Sequence, residues 1–181
     1  MDDRIPRGTT VFPRLVTVHF DGACQPPKGG GIAAYGYTIE GEGLRHEGKG
    51  LAVRPWSPRA TNNVAEYTAA ICALEWLAGE GYAGSVLVLG DSQLVVRQIN
   101  GEYEVRAEHL KAYHERLSAL AKRFESAEFR WIPRSQNLRA DELSKEAVED
   151  AVPDARRRRP LGGVAVVEED PHPEPDSDGA D

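Results

Sequence analysis

Read as apolar and polar positions, the chain becomes regular at Arg14. The segment "RLVTVHFD" alternates and is rich in β-branched residues, which predicts a strand ending at Asp21. "CQPPKGGG" reads as a turn built of Pro and Gly. "IAAYGYTIEG" and "LRHEGKGLAV" then predict two further strands around the Gly41–Gly43 turn, completing an antiparallel three-strand meander. Residues 61–78 carry small and apolar side chains at helical spacing, with three glycines at 79–84 to stop the helix. "SVLVLG" is a continuous apolar run, as in a central strand covered on both faces, and Asp91 closes it. A short helix ("SQLVVRQING") follows. A longer one ("AEHLKAYHERLSALAKRFES") has Leu110, Tyr113, Leu117 and Leu120 on its inner side. "AEFRWIP" predicts a fifth strand and "NLRADELSKEAVEDA" a last helix with Leu138, Ala147 and Val148 facing inward.

The order β-β-β-α-β-α-α-β-α implies an α/β domain over residues 14–150, with a mixed sheet of three antiparallel and two parallel strands flanked by helices. Residues 1–13 read as a flexible leader. Residues 151–181 read as a basic linker (Arg156–Arg159), a short edge strand in "LGGVAVVEE" and an acidic tail composed like disordered sequence.

Composition narrows the class without naming it. With 181 residues, 40% of them hydrophobic, the chain can bury a core. No apolar run has the length of a membrane span, and the first residues lack the apolar core of a signal peptide, so a soluble, cytoplasmic protein is expected. Cys24 and Cys72 lie far apart, and the five histidines show no paired metal-ligand spacing, which argues against a zinc site or a disulfide framework. The formal charge of −7 is unevenly spread. Seven acids and no Lys or Arg fall in residues 164–181, leaving 22 basic against 22 acidic residues before them. A neutral body does not advertise nucleic-acid binding, but acids gathered in one pocket would leave the remaining surface positive.

Four acids stand out by position. Asp21 and Asp91 sit where predicted strands finish, the place at which α/β sheets gather functional groups. If the first and fourth strands are neighbours, the two meet. Glu66 at the start of one helix and Asp141 in the first turns of another then close a ring of four carboxylates. Each also has a plainer reading. Glu66 completes a capping box with Asn63, Asp21 opens an Asp-Gly turn, Asp91 caps the following helix, and Asp141 lies on a solvated helix face. Four acids without a basic partner repel strongly in a partly dry site, and divalent cations remove that repulsion. Hard oxygen ligands suit Mg²⁺ or Mn²⁺, and two such ions suit phosphodiester hydrolysis, which needs no nucleophilic side chain.

The blocks "FDGAC", "TNNVAEYTAAICALEWL", "GDSQLVVRQINGEY" and "WIPRSQNLRADELS" together resemble a type 1 ribonuclease H, most of all the short form found in archaea and some bacteria. The resemblance implies an endoribonuclease that cuts the RNA strand of RNA–DNA hybrids with two Mg²⁺ or Mn²⁺ ions, leaving 5′-phosphate and 3′-hydroxyl ends. It implies that Asp21, Glu66, Asp91 and Asp141 are the catalytic, metal-binding acids, and that Asn62 and Asn63 face the minor groove of the hybrid. Some short-form relatives also accept RNA–RNA duplexes. A monomer is expected.

The chain departs from the family in three places. No histidine lies between Trp131 and Asp141, where Arg134 is the candidate to hold a phosphate. Lys28 stands where relatives often carry a substrate-touching asparagine, and would meet phosphate as a point charge. The basic protrusion and a separate hybrid-binding domain are missing. Phosphate contacts then fall to scattered side chains, with Arg97, Arg106, Lys111, Arg130 and Arg139 as candidates. A catalytically silent hybrid- or RNA-binding module on the same fold is the alternative, but a binder has no use for four mutually repelling acids.

Overall fold

The computed structural model describes residues 15–158, with side chains through Pro153. The leader, Arg159, the expected edge strand and the acidic tail lie outside the described residues. The elements are β1 (Leu15–Gln25), β2 (Ile32–Gly41), β3 (Leu44–Leu51), α1 (Asn62–Gly79), β4 (Ser85–Gly90), α2 (Gln93–Ile99), α3 (Glu108–Ala121), β5 (Ser126–Trp131) and α4 (Leu138–Arg158). They build a five-stranded sheet in the order β3-β2-β1-β4-β5. β1, β2 and β3 pair antiparallel, while β4 runs parallel to both β1 and β5. This is the expected mixed sheet, with β1 and β4 side by side.

The alternation of strand side chains puts α1 and α4 on opposite faces. Val16, Val18 and Phe20 of β1 join Ala33, Tyr37 and Ile39 of β2 in the large core under α1, which buries Tyr67, Ile71, Leu74 and Leu77. On the other face Ile32 and Ala34 meet Ala147 and Val148 of α4 in a much smaller cluster. Two glycines set how closely the helices approach. A Cβ on Gly22 would stand 2.3 Å from the backbone nitrogen of Glu66, and one on Gly36 would stand 2.5 Å from that of Ser144. Neither position has room for a side chain. Each helix start is therefore pressed onto the strand beside Asp21.

Several sequence expectations need correction. β1 does not stop at Asp21 but continues to Gln25, because β2 extends alongside it and pairs Cys24 with Ala33 and Gln25 with Ile32. Asp21 is therefore mid-strand rather than the opening of a turn, although it lies just past the last β1–β4 pair, Phe20 with Gly90. α1 is capped by Thr61, whose hydroxyl accepts from the Val64 N–H at 3.2 Å, so the Asn63–Glu66 capping box does not form. α2 is capped by Ser92, not Asp91. Leu138 is 59% exposed, since the first residue of α4 lies off the sheet, whereas Ala147 and Val148 are buried as expected. α4 also passes position 150 and Pro153 to reach Arg158, so residues 151–158 are helical rather than linker. Pro153 has no N–H to give the ladder.

Candidate metal-binding active site

Asp21 and Asp91 come together because β1 and β4 are parallel neighbours, and Glu66 joins them from the first turn of α1. One carboxylate oxygen from each of the three lies within 4.8 Å of the others. Asp21 and Glu66 are only 4% and 5% exposed, while Asp91 is half-buried. The acids line a groove of about 710 Å³ that runs past Gly22, Asn62 and Lys145.

Each acid takes its hydrogen bonds from neutral donors. The Asn62 amide donates to Glu66 Oε1 at 3.3 Å, and the Gly22 N–H also serves that carboxylate. The Ser144 hydroxyl donates to Asp21 Oδ2, and the Asn137 amide donates to Asp91 Oδ1 at 3.0 Å. Glu66 Oε2 is buried with no partner. The electrostatics follow from this setting. Burial, with Asp91 and Asp141 nearby, pushes the Asp21 carboxyl up to about 7 against the opposing Ser144 bond. Burial and the charges of Asp21 and Asp91 push Glu66 well above the usual carboxylate range. Oxygen-only ligands, an unpartnered buried carboxylate oxygen and mutual repulsion are what a hard divalent cation relieves, so these residues fit Mg²⁺ or Mn²⁺.

Asp141 stands apart from the three. It is 6% exposed, so it is not on a solvated helix face, but its carboxylate is held by Arg134 and by Lys145, the latter at 2.5 Å. Burial raises its pKa, yet Lys145 and Arg134 outweigh burial and leave it below the ordinary value. Its field still reaches Asp21. Lys145 carried no signal in the sequence, where a lysine four residues after an aspartate reads as a surface pair.

Of the expected substrate contacts, Asn62 and Arg134 line this groove. Asn62 is exposed but turned onto Glu66, and Asn63 is half-buried one position on. The groove wall near the β1–β2 turn is Gln25 and Pro27, with Lys28 exposed beside them. Four of the five candidate phosphate contacts pair with acids: Arg106 with Glu104, Lys111 with Glu108, Arg130 with Glu128 and Arg139 with Glu47. Arg97 instead lies over the Tyr103 ring, 5.1 Å from its centroid.

Comparison with known proteins places the fold. The family described as reverse transcriptase-like matches residues 19–147. Ribonuclease HI of Halobacterium salinarum is 36% identical over 137 residues, which is 75% of this chain and 65% of that protein. A bifunctional protein of Mycobacterium tuberculosis is 39% identical over 97 residues, and the match spans only 26% of its length. Among solved structures, the RNase H domain of that mycobacterial protein superposes with a TM-score of 0.69 at 32% identity, covering 78% of this chain and 99% of the domain. LC11-RNase H1, solved with an RNA/DNA hybrid, gives 0.66 at 35% identity, covering 76% and 99%. The chain belongs to the type 1 ribonuclease H family.

Proposed function

We propose that this protein is a metal-dependent endoribonuclease that hydrolyses the RNA strand of RNA–DNA hybrids. The observation that carries the reading is the convergence of Asp21, Glu66 and Asp91 with a buried, unpartnered Glu66 oxygen. These three acids would hold the first of two Mg²⁺ or Mn²⁺ ions, and Asp141, once released from its cations, would help hold the second. Ions bound there supply activation of water and charge stabilisation for an in-line displacement at phosphorus, giving 5′-phosphate and 3′-hydroxyl ends.

The chain's own contribution is placement. Gly22 and the small side chains of α1 fix the direction of Glu66. Arg134 and Lys145, 63% and 54% exposed at the groove, can exchange Asp141 for a substrate phosphate. Asn62 and Asn63 would face the shallow groove of the hybrid, where the 2′-hydroxyls mark the RNA strand, and Lys28 would meet phosphate. The catalytic domain in this reading is residues 14–150 with the continuation of α4, acting as a cytoplasmic monomer. Double-stranded RNA is a second substrate to examine. Among the described residues no helix is long and apolar enough to cross a membrane.

The test is cleavage of an end-labelled RNA–DNA hybrid beside RNA–RNA and DNA–DNA duplexes, with Mg²⁺, Mn²⁺ or EDTA, for the intact protein and Asp91→Asn. Internal, metal-dependent cuts in the RNA strand that disappear in the variant are expected. Tight binding of the hybrid without cutting under either metal would replace this reading with the binding-module one.

A further inference from the structure

α4 brings more than Asp141 to the acids. Asn137 immediately precedes it, and positions 137, 141 and 144 share one helical face. Asn137 is fully buried. A residue in that place ordinarily caps the helix, its side-chain oxygen accepting a free backbone N–H. Here that oxygen accepts nothing, and the amide nitrogen instead donates to two acceptors, the Phe20 carbonyl at 2.9 Å and Asp91 Oδ1 at 3.0 Å. Because both partners only accept, the nitrogen must face them. Leaving the oxygen orphaned costs stability, so the arrangement does not serve the helix. It serves the junction of β1 with Asp91.

Ser144, also fully buried, repeats the device on the other aspartate. Its single hydroxyl proton has two acceptors in reach, Asp21 Oδ2 and the Asp141 carbonyl at 3.0 Å, and the carboxylate is the nearer. A charged acceptor is also the stronger one. The closeness of α4 to the sheet at Gly36 is what allows this contact.

We propose that Asn137 and Ser144 are positioning residues of the acid cluster: each gives one neutral donor to one oxygen of a sheet-borne aspartate, fixing the carboxylate plane and leaving its other oxygen for a cation. A lysine or arginine in either place would fix the aspartate equally well but would compete with the cation for its charge. Neutral donors orient without neutralising. The inference rests on the reading that these acids hold a divalent ion.

Mn²⁺ titrated into the full chain, followed by calorimetry and by the electron paramagnetic resonance of the free ion, tests it with a readout independent of cleavage. The variants are Ser144→Ala, Asn137→Ala and the near-isosteric Asn137→Leu, which removes the donor without adding charge. Asn100→Ala is the control, because it removes an amide bond to the Phe129 carbonyl away from the acids. Loss of partners that orient metal ligands typically weakens binding about 10–100-fold. Each positioning variant should bind Mn²⁺ at least about tenfold more weakly. It should also lower kcat with KM for the hybrid unchanged. Asn100→Ala should lower the metal-free unfolding temperature yet hold Mn²⁺ like the parent.

Ser144→Ala places a good helix former in a helix and is the variant expected to fold in every case. If it folds and binds Mn²⁺ as the parent does, the proposal is overturned, whatever the Asn137 variants do. If the parent itself binds no Mn²⁺, the metal reading falls first and this inference with it.

Discussion

The two helices that frame the acids are held to the sheet by different forces. α1 is clamped by apolar packing, with Tyr67, Ile71, Leu74 and Leu77 all buried in the large core, and it carries one of the clustered acids, Glu66. α4 packs a smaller apolar set, with Ala147 and Val148 in a small cluster, Ala151 and Val152 partly buried against it and Ala140 and Leu143 buried nearer the acids, and it carries a rim of charged contacts as well. Arg139 grips Glu47 of β3 at 2.7 and 3.0 Å and reaches Glu142 and Glu146, while Lys49 bridges Glu146 and Asp150. Yet α4 delivers Asp141 and, with the residue before it, the donors to Asp21 and Asp91. Apolar packing dominates on the α1 side, whereas the α4 side combines a smaller apolar contact with a charged rim. Changes on the α1 side should be felt mainly through stability or chemistry, and changes on the α4 side also through ionic conditions.

The sharpest break separates chemistry from folding on α1. Glu66→Gln keeps the shape, and the Asn62 and Gly22 donors retain an acceptor. Cleavage should fall by roughly a thousandfold, the several kcal/mol a metal site contributes to the transition state. The metal-free protein should unfold at no lower temperature, because a buried, repelled charge has gone. A kinetic assay beside calorimetry checks both, and a large loss of stability would contradict the repulsion inferred here.

The packing contrast comes next. Leu74→Ala opens a hole in the α1 core and should cost about 2–5 kcal/mol in denaturant unfolding. Val148→Ala, in the small α4 cluster, should cost about 1.5 kcal/mol, two methylenes' worth of burial. Equal losses would erase the asymmetry.

A pH series probes the acids between the helices. Asp21 rises from 3.8 to about 7 on folding, so between these values the folded state holds a proton that the unfolded chain has lost. Metal-free stability from this group is therefore full below about pH 4 and declines as pH climbs toward 7. Asp141 works the other way, losing its contribution as pH falls through its lowered value. Thermal unfolding in EDTA should show the decline, and Asp21→Asn should make it shallower, leaving the share that comes from the raised Glu66. Saturating Mn²⁺ should also abolish it, since an ion that binds only the folded state adds stability as the site ionises.

The smallest effect belongs to the charged rim. Arg139→Ala should lower the unfolding temperature less than Val148→Ala does. The difference from the parent should vanish near roughly 1 M NaCl, where screening acts within about 3 Å. A difference that survives high salt would mean that Arg139 works by packing its stem.

How much of this the sequence carried depends on the kind of signal. The order of elements along the chain was legible because alternation and apolar runs have different periods; that the first and fourth strands are neighbours was only a condition in the sequence, and it is their pairing up to Phe20 and Gly90 that brings Asp21 and Asp91 together. Asp141 was legible as a fourth acid of the set, but neither its burial nor its capture by Arg134 and Lys145 was, since long cationic side chains choose partners only in three dimensions. Asn137 and Ser144 gave no warning. An asparagine ahead of a helix reads as a cap and a helical serine reads as filler, and only the register of α4 on β1 shows otherwise. The Arg156–Arg159 run misled because charge density suggested a linker, whereas the helix simply continues to Arg158.

The position of α4 along the chain has a consequence for synthesis. Asp21, Glu66 and Asp91 all precede residue 132, while Asn137, Asp141 and Ser144 follow it. A nascent chain emerging from the ribosome would therefore expose its sheet and α1 before any of the α4 groups. Through that interval it would carry repelling carboxylates without the partners that orient them, and on the reading proposed here it would be unable to cut. On that reading competence would arrive with α4, after the sheet that supports it has been made.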